Sequence, residues 1–268
     1  MSDPVPEEVA RALAATARRR GRFGDPFYFF AETHSTNDIA ATLAENGAPQ
    51  GTTVLASSQT AGRGRFGRTW FSPPGAGLYV SIVCRDQRAA SLVTLAGGVA
   101  VADGIRRATG LPVQIKWPND IVVEDRRLGA RRKLAGILAE ATSTPEGLQY
   151  VILGFGINLG SASYPPELAD RATSIEVELG RLVDGPAVLA ETLSAFAERF
   201  GELERGESAA LLAQWRALAP SSRGATVEWD VANGSMRGVT IGIDDDGALL
   251  VRVGDRVERI ISGELRWK

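Results

Sequence analysis

The sequence predicts an α+β protein in which a β-sheet is flanked by helices and a small β-barrel follows at the C-terminal end. Strand-like apolar runs alternate with helical patterns up to residue 219, and short alternating strands with tight turns replace them from residue 220. With 268 residues, 44% of them hydrophobic, the chain can build one large core or two unequal domains. We therefore expect an N-terminal helix over 1–24, a main domain over 25–219 and the barrel over 220–268.

The first helix is predicted from about Val5 to Arg20, with acidic residues in its first turn and Arg18, Arg19 and Arg20 in its last turn. That order of charges suits the helix dipole. We interpret the arginine run as a helix end in solvent, and a nucleic-acid-binding arm is the alternative. One helix is less than half of a DNA-binding winged helix, so we expect no repressor function.

The main domain is predicted to contain strands and helices in mixed order. Ser35, Thr36 or Asn37 can cap a helix that stops at Gly47, and a long buried helix rich in small residues ends at Gly110. Helical pattern returns over 186–219. The predicted strands are FYFFAET, TTVLASSQT, GLYVSIVC, VQIKWPNDIVV, KLAGILAEAT and YVILGFGINL, with a basic loop over 124–132 between the fourth and the fifth.

In the C-terminal region, Asp246-Gly247 and Gly254-Asp255 mark tight turns between short strands. Hairpins of this length make a small barrel with too little core to be very stable alone. We therefore expect the barrel to pack on the main domain.

Composition limits the class of partner. Lys and Arg number 30 against 32 Asp and Glu, and this near-neutral balance argues against the broad basic face that a long polyanion needs. The single cysteine, Cys84, excludes an intramolecular disulfide and a thiolate metal cluster, and no window is apolar enough for a membrane span. We expect a cytoplasmic protein with neither nucleic acid nor membrane as partner.

The most informative segment is GRGRFGR over 62–68, which we call the Gly/Arg loop. Glycine lets backbone amides approach a ligand closely, and guanidinium groups neutralise anionic oxygens in a bidentate way. A compact anion such as a nucleotide or a carboxylate is the expected ligand. A mobile surface loop with incidental arginines is the alternative on these residues alone.

Two phosphate-binding patterns also fit this loop, and the residues after it exclude both. Gly62, Gly64 and Gly67 satisfy GxGxxG, and 62–69 nearly satisfies GxxxxGK[ST], with Arg68 in place of the lysine. Both patterns need a helix directly after the glycines, whereas TWFSPPGAGLYVSIV contains two prolines and a strand. One copy between strands is too short for a disordered RG-type nucleic-acid segment.

Three more segments carry chemistry. The run KWPND over 116–120 places a cation, an aromatic ring, an amide and a carboxylate within five residues. Lys133 begins a strand of small and apolar residues, and its side chain should project at the start of that strand. Two glycines within the apolar strand GFGINL over 154–159 indicate close approach of something flat, with Asn158 available for hydrogen bonds.

Together these motifs resemble those of the biotin protein ligases. In chain order the matching segments are SerThrAsn 35–37, GlnThrAlaGlyArgGlyArg 59–65 with Trp70, LysTrpProAsnAsp 116–120, LysLeuAlaGlyIleLeu 133–138 and GlyPheGlyIleAsnLeu 154–159. The similarity runs from about Phe27 to the C-terminus. It implies a class II synthetase-like catalytic domain with a mixed, largely antiparallel sheet, and a Src-homology-3-like barrel, in the form without an N-terminal DNA-binding domain.

The resemblance also implies a two-step reaction. Biotin and ATP give biotinyl-5′-AMP and pyrophosphate, and a lysine of a biotin carboxyl carrier domain then takes the biotinyl group. Magnesium is implied as well, with unknown ligands, and monomer and homodimer both stay open. By position, the implied biotin-binding residues are Ser35, Thr36, Asn37, Gln59, Gly62, Arg63, Gly64, Arg65, Lys133 and Gly136. The positions implied around ATP or the adenylate are Arg65, Arg68, Trp70, Lys116, Asn119 and Asn158.

Adenylation brings a carboxylate and the α-phosphate to about 3 Å, where their repulsion is of order 5 kcal/mol at an effective dielectric near 20. We assign its cancellation to Arg63, Arg65 and Lys133, with Lys133 as the oxyanion stabiliser. The attacking carboxylate is already ionised and needs no histidine base, so His34 is interpreted as a turn residue.

Asp120 is the third catalytic candidate, because the acceptor lysine must lose a proton before it attacks. A structural carboxylate that caps a turn is an equal alternative for Asp120. Trp70 either stacks on the adenine or packs in a core. The Gly/Arg loop is expected to be mobile when empty and ordered when occupied, which excludes water from the adenylate.

Two other functions stay open on the sequence. A lipoate ligase forms a similar acyl-adenylate, although the glycine-rich and histidine motif expected there is missing. A nucleic-acid-binding regulator would use the Gly/Arg loop and the barrel. The basic loop is longer than expected for the family, and its arginines, Arg126, Arg127, Arg131 and Arg132, either help to hold an acidic carrier domain or form a solvated hairpin tip.

Overall fold

A seven-stranded sheet forms the centre of the main domain in the computed structural model, which describes residues 2–125, 130–162, 164–231 and 234–267. The strands are β1 Phe27–Phe30, β2 Thr53–Ala56, β3 Gly77–Cys84, β4 Gln114–Lys116, β5 Asp120–Asp125, β6 Ala130–Thr144 and β7 Gly147–Asn158. Their order is β1-β2-β3-β7-β6-β5-β4. Only β1 and β2 pair in parallel and the other five pairings are antiparallel, so the predicted mixed, largely antiparallel sheet is confirmed.

Helices cover both faces of this sheet. The helices are α1 Glu7–Arg20, α2 Thr36–Glu45, α3 Val93–Thr109, α4 Pro166–Ala169, α5 Ile175–Leu179, α6 Gly185–Glu204 and α7 Ser208–Leu218. Small residues let α3 pack closely, and a Cβ on Gly104 would overlap Thr192 of α6. On the opposite face, α2 buries Ala40 and Ala44 against Val54 and Val83. The sheet is apolar on both faces, which explains the continuous apolar runs of β3 and β7.

The helical region predicted over 186–219 is divided into α6 and α7. The break falls at Gly206, whose φ of 76° is the left-handed conformation that glycine adopts without steric cost. The short helices α4 and α5 have no counterpart in the sequence prediction, because helices of four and five residues are too short to show a periodic pattern.

The arginine run at the end of α1 is only partly in solvent. Arg20 is buried, where its guanidinium donates to the carbonyl oxygen of Leu13 at 2.9 Å and to the Thr16 hydroxyl at 3.1 Å. Arg19 forms an ion pair with Glu191 of α6. The interpretation of the whole run as a solvated end is therefore wrong for Arg20, which folds back onto Leu13 and Thr16 of its own helix.

The C-terminal region is a five-stranded antiparallel sheet of order β11-β10-β9-β8-β12. Its strands are β8 Arg223–Val231, β9 Gly234–Ile243, β10 Leu249–Val253, β11 Arg256–Ile260 and β12 Arg266–Trp267. Both predicted turns are present, with Gly247 at φ 83° and Gly254 at φ 58°.

This small sheet packs on the main domain, as expected. The Trp117 indole N–H donates to the carbonyl oxygen of Gly247 at 3.0 Å, and Val227, Leu249 and Val251 join the main hydrophobic core. The exact division at residues 24 and 219 stays a prediction. In the part of the chain that the structure describes, no helix has the length and hydropathy needed to cross a membrane.

Candidate active site

One cavity on the main sheet collects the motifs that the sequence analysis singled out. It holds about 1010 Å³, counting the space at its open mouth. Predicted site residues that line it are Ser35, Thr36, Asn37, Gln59, Arg63, Gly64, Arg65, Arg68, Trp70, Lys116, Asn119, Asp120, Lys133 and Gly136. The chain positions of these residues are far apart, so the pairing of β3, β7, β6 and β5 is what brings them together.

Two predicted site residues do not line this cavity. Gly62 begins the Gly/Arg loop, and a Cβ on it would stand 2.5 Å from the carbonyl oxygen of Trp70 and 2.6 Å from the Ser72 hydroxyl. Asn158 is buried at the end of β7, and its amide donates to the carbonyl oxygen of Thr173 at 2.9 Å. Their predicted contacts with biotin and ATP thus stay predictions. In this structure Gly62 allows close approach of the Trp70 backbone, and Asn158 is hydrogen-bonded to the backbone of Thr173.

The polar end of the cavity is built at the N-terminus of α2. Ser35 occupies the capping position, but its side chain makes no capping hydrogen bond. Instead the Thr36 backbone N–H donates to the side-chain oxygen of Gln59 at 2.9 Å. Gln59 in turn donates to the Ser72 hydroxyl at 2.9 Å. A side chain from a different segment therefore satisfies the free amide of this helix end and links α2 to the residues that flank the Gly/Arg loop.

The glycines of β7 do receive flat groups, as the sequence predicts, but these groups belong to the protein. A Cβ on Gly154 would overlap the side-chain amide of Asn37, and a Cβ on Gly156 would overlap the indole ring of Trp70. Gly136 of β6 also lies under the Trp70 ring, because a Cβ added to Gly136 would stand 2.9 Å from the nearest carbon of that ring. The ring therefore lies on the sheet between two glycine positions.

Three cations of the cavity are held by carboxylates. Arg63 contacts Asp38 and Glu140, Arg68 contacts Glu264, and the Lys133 ammonium lies 2.6 Å from Asp120. Burial by itself lowers the pKa of Arg63, but hydrogen bonds and charge from Glu140, and then from Asp38, outweigh it and raise that pKa. Lys133 also stands 5.1 Å from the centre of the Trp70 ring, within range of a cation–π contact.

Two further cations have no ion-pair partner among the residues that the structure describes. Burial lowers the pKa of Lys116, although Asp120 opposes the effect. Burial likewise lowers the pKa of Arg65, whose guanidinium donates to the Asn119 side-chain oxygen at 3.4 Å. A half-buried cation without a carboxylate favours an anionic ligand, because the ligand supplies the compensating charge.

The Gly/Arg loop folds as a tight turn at the mouth of the cavity. Gly64 and Arg68 are joined by a backbone hydrogen bond of 2.7 Å, and Phe66 takes a left-handed conformation with φ 57°. The Phe66 side chain is 63% exposed and lies under the Arg65 guanidinium. Left-handed backbone at a bulky residue is unfavourable, and such strain concentrates at ligand sites.

Sequence reasoning missed three residues around the cavity. Glu140 lies two residues after the motif at 133–138, and its carboxylate accepts hydrogen bonds from Asn37 and Arg63. Buried Ser81 of β3 donates to the side-chain oxygen of Asn37. Glu264 lies between β11 and β12 and contacts Arg68, and Leu265 and Trp267 also line the cavity. The alternation along β3 and β6 places Ser81 and Glu140 on the cavity face, but nothing in the sequence points to Glu264.

The remaining predicted residues lie outside the cavity. His34 contacts the Thr60 hydroxyl at 2.9 Å, in keeping with its interpretation as a turn residue. Of the arginines predicted in the basic loop, Arg126 and Arg127 lie outside the described residues, whereas Arg132 lies in β6 and pairs with Glu178 at 2.9 Å. Over residues 2–125, 130–162, 164–231 and 234–267, no group of three His, Cys, Asp or Glu side chains could hold a metal ion.

The comparisons with known proteins agree with this geometry. The Biotin/lipoate A/B protein ligase family matches residues 29–158, and the Biotin protein ligase C terminal domain matches residues 230–265. The bifunctional ligase/repressor BirA of Bacillus spizizenii is 35% identical over 236 residues, which cover 86% of this chain and 70% of that protein. The biotin--[acetyl-CoA-carboxylase] ligase of Paracoccus denitrificans is 34% identical over 230 residues, covering 83% of this chain and 92% of that one.

A solved structure extends the similarity to three dimensions. The biotin protein ligase from Aquifex aeolicus, in complex with biotin and ATP, superposes with a TM-score of 0.76 at 26% identity and covers 90% of this chain and 98% of its own. The sheet, the C-terminal domain and the cavity define a ligase of the biotin/lipoate class. Within that class, the chain belongs to the biotin protein ligase family.

Proposed function

We propose that this protein is an ATP-dependent biotin ligase that makes biotinyl-5′-AMP and transfers the biotinyl group to a lysine of a biotin carboxyl carrier domain. The observation that carries the proposal is one cavity in which a neutral polar end, at Thr36 and Gln59, adjoins a group of cations. A cyclic urea needs neutral hydrogen-bonding groups, whereas a carboxylate beside a triphosphate needs positive charge.

For biotin, we assign the polar end to the ureido ring. Thr36, Asn37 and Gln59 have fixed orientations there, because each is hydrogen-bonded to a neighbouring residue. The valeryl chain would then run over the Trp70 ring toward Lys133. This direction brings the carboxylate of biotin to the cationic part of the cavity.

For ATP, we assign Lys116 and Arg65 to the phosphates, because these cations have no ion-pair partner within the described part of the chain. We place the Lys133 ammonium between the two assigned regions, where it can follow negative charge onto the α-phosphate as the carboxylate oxygen attacks. Such stabilisation of developing charge is commonly worth several kcal/mol, of order 10²- to 10³-fold in rate. Magnesium would enter with the ATP phosphates, since it keeps several waters and needs only one or two protein carboxylates.

For the transfer step, we assign Asp120 a double role that its contact with Lys133 supports. In adenylation the carboxylate holds the Lys133 ammonium at 2.6 Å. In transfer the carboxylate is placed to accept the proton that the acceptor lysine loses, while AMP leaves with the bonding electrons of the mixed anhydride. The acceptor is a biotin carboxyl carrier protein or domain.

We also propose that the enzyme works in the cytoplasm as a monomer or homodimer and without nucleic acid. The near-neutral charge supports this, as does α1, where Arg19 and Arg20 are engaged within the protein. Burial raises the pKa of the Cys84 thiol, which suits an inert core cysteine. We assign catalysis to 25–219, with the C-terminal region closing the mouth of the cavity through Glu264.

The test is incubation with biotin and magnesium-ATP, followed by mass spectrometry for biotinyl-AMP and for biotin on a carrier domain. Lipoate replaces biotin in a parallel reaction, and Arg11→Ala, an exposed cation of α1, serves as the matched control variant. We expect the wild type and the control variant to form biotinyl-AMP from biotin and to form no lipoyl-AMP from lipoate. Lipoyl-AMP in its place, or steeply salt-dependent DNA binding that ignores biotin, would overturn the proposal.

A further inference from the structure

The carboxylate of Glu140 joins two parts of the cavity that are far apart in the sequence. It accepts a hydrogen bond from the side-chain amide of Asn37, at the start of α2, and another from Arg63 of the Gly/Arg loop at 2.8 Å. The Glu140 side chain is 41% exposed, so its charge is partly screened at the rim of the cavity. Asn37 is buried, so its end of the contact is shielded from water.

This contact fixes which way the Asn37 amide points. A carboxylate only accepts hydrogen bonds, so Asn37 must present its NH₂ group to Glu140 and its oxygen to the opposite side. On that side the buried Ser81 hydroxyl donates to the Asn37 oxygen. The Ser81 hydroxyl also lies 2.8 Å from the Thr36 hydroxyl, which in turn lies 3.2 Å from the side-chain oxygen of Gln59. The direction of each hydrogen bond from Arg63 through Glu140 and Asn37 to Ser81 therefore follows from the charge of Glu140.

The reverse orientation of the amide is unfavourable, because it would place the Asn37 oxygen against the Glu140 carboxylate, which has no hydrogen to donate. There is also little room for adjustment, because Asn37 lies directly on Gly154, where even a Cβ would overlap the amide. The arrangement thus holds one polarity at the end of the cavity assigned to the ureido ring.

Asp38 provides a comparison within the same cluster. Its carboxylate contacts the Arg63 guanidinium, as Glu140 does, and it is 51% exposed. No hydrogen bond joins Asp38 to Asn37 among the contacts of the described residues. Removal of Asp38 should therefore loosen only the loop, whereas removal of Glu140 should loosen the loop and release the Asn37 amide.

We propose that Glu140 is a positioning residue for biotin, which holds Arg63 and Asn37 together so that the Gly/Arg loop and the polar end of the cavity keep their ligand-binding geometry. The inference rests on the proposed function. It assigns Arg63 first to anchoring the loop, because two carboxylates already engage its guanidinium. Glu140 takes no part in the chemical step.

The test compares Glu140→Ala, Glu140→Gln and Asp38→Asn in adenylate formation, with Glu8→Gln of α1 as the control for loss of one exposed negative charge. For Glu140→Ala we expect KM for biotin to rise roughly 10- to 100-fold, the range for a lost hydrogen bond to a charged group. We expect kcat and KM for ATP to stay within about threefold. Glu140→Gln should show a smaller rise, since its amide oxygen can still accept, and Asp38→Asn a smaller rise than Glu140→Ala.

A swap of amide and carboxylate separates positioning from loss of fold. Asn37→Asp alone puts two carboxylates in contact and should weaken biotin binding at least as much as Glu140→Ala. Asn37→Asp combined with Glu140→Gln restores an acceptor for Ser81 and a donor between positions 37 and 140. We expect this double variant to recover biotin binding to within about tenfold of the wild type.

The Arg63 contact is tested by a double-mutant cycle with Arg63→Ala and Glu140→Ala. If Arg63 acts through Glu140, the affinity of the double variant for biotin should be no more than about threefold below that of the single variant with the lower affinity. Effects that multiply, or an Arg63→Ala effect far larger than that of Glu140→Ala, would overturn the positioning role and give Arg63 a direct contact with the ligand.

Biotin binding measured by calorimetry without ATP distinguishes failure of the proposed function from failure of the Glu140 role. If the wild type neither binds biotin nor makes biotinyl-AMP, the proposed function fails, and the positioning role fails with it. If the wild type does both and Glu140→Ala matches it in KM for biotin, only the role of Glu140 is overturned. A fall in kcat, or an equal rise in KM for ATP, would also contradict it.

Discussion

The cations of the cavity fall into two groups that differ in their partners. Arg63, Arg68 and Lys133 each contact a carboxylate, whereas Arg65 and Lys116 contact none among the described residues. Ion pairing raises the pKa of Arg63 and of Arg68. Burial lowers the pKa of Arg65 and of Lys116. A paired cation has a fixed position and little net charge to offer, so the paired group sets the geometry of the site and the other group supplies its positive potential.

Lys133 is the exception that combines both roles, so its removal gives the largest expected effect. Lys133→Ala should lower kcat for biotinyl-AMP formation by of order 10²- to 10³-fold, because the developing charge on the α-phosphate loses its stabilising ammonium. Single-turnover mass spectrometry measures the rate, and a thermal melt checks that the variant folds. A loss below tenfold would place Lys133 with the purely structural cations.

Lys116→Ala should raise KM for ATP by roughly 10- to 100-fold, the range for loss of a charge-assisted contact. KM for biotin should change far less, because the polar end of the cavity makes no contact with Lys116 within the described part of the chain. Steady-state kinetics with each substrate varied in turn makes the comparison, with Arg11→Ala as the control. Equal increases in both KM values would erase the distinction between the two groups.

Asp120→Asn separates the positioning of Lys133 from proton transfer. We expect roughly a 100-fold fall in the transfer of biotin from preformed biotinyl-AMP to the carrier, the lower end of the range for general base catalysis. The fall in adenylate formation should be smaller, because the asparagine oxygen still accepts a hydrogen bond from Lys133. If only adenylation suffers, Asp120 is a structural partner of Lys133 and no base.

The pH dependence of ATP use should report the burial of Lys116. Burial lowers its pKa below the ordinary lysine value of about 10.4, so its charge is lost earlier as the pH rises. We expect kcat/KM for ATP to fall several-fold on the alkaline side, at a pH below that ordinary value. Lys116→Arg stays protonated there and should lose this alkaline limb. If Lys116→Arg shows the same alkaline fall in kcat/KM for ATP, that fall comes from the titration of another group.

The smallest effect is expected at the mouth of the cavity. Arg68 and Glu264 have side chains about 60% exposed, so their ion pair should contribute only about 0.2–1 kcal/mol to stability. Glu264→Gln should therefore shift the denaturation midpoint slightly and more weakly at high salt. Urea titrations at low and high ionic strength measure the shift, and a change of several kcal/mol would show that the C-terminal sheet depends on this contact.

The sequence was sufficient for the strands of the main sheet and for most residues of the cavity. Strand periodicity located β2, β3 and β7, and the chemistry of glycine beside arginine located the loop. It failed where no periodic signal exists, at the short helices α4 and α5, and where a residue was judged by local context, at Arg20. Gly154 and Gly156 show the intermediate case, since close approach was predicted correctly but the approaching groups are Asn37 and Trp70.

What the sequence determined by itself is the set of functional groups, because the spacing of motifs and the alternation of strands depend only on neighbours along the chain. Which cation meets which carboxylate was decided by the tertiary structure alone. Arg68 and Glu264 are 196 residues apart, and Arg63 and Glu140 are 77 residues apart. Such contacts depend on sheet order and strand register, which bring distant side chains within hydrogen-bonding distance only when the whole chain has folded.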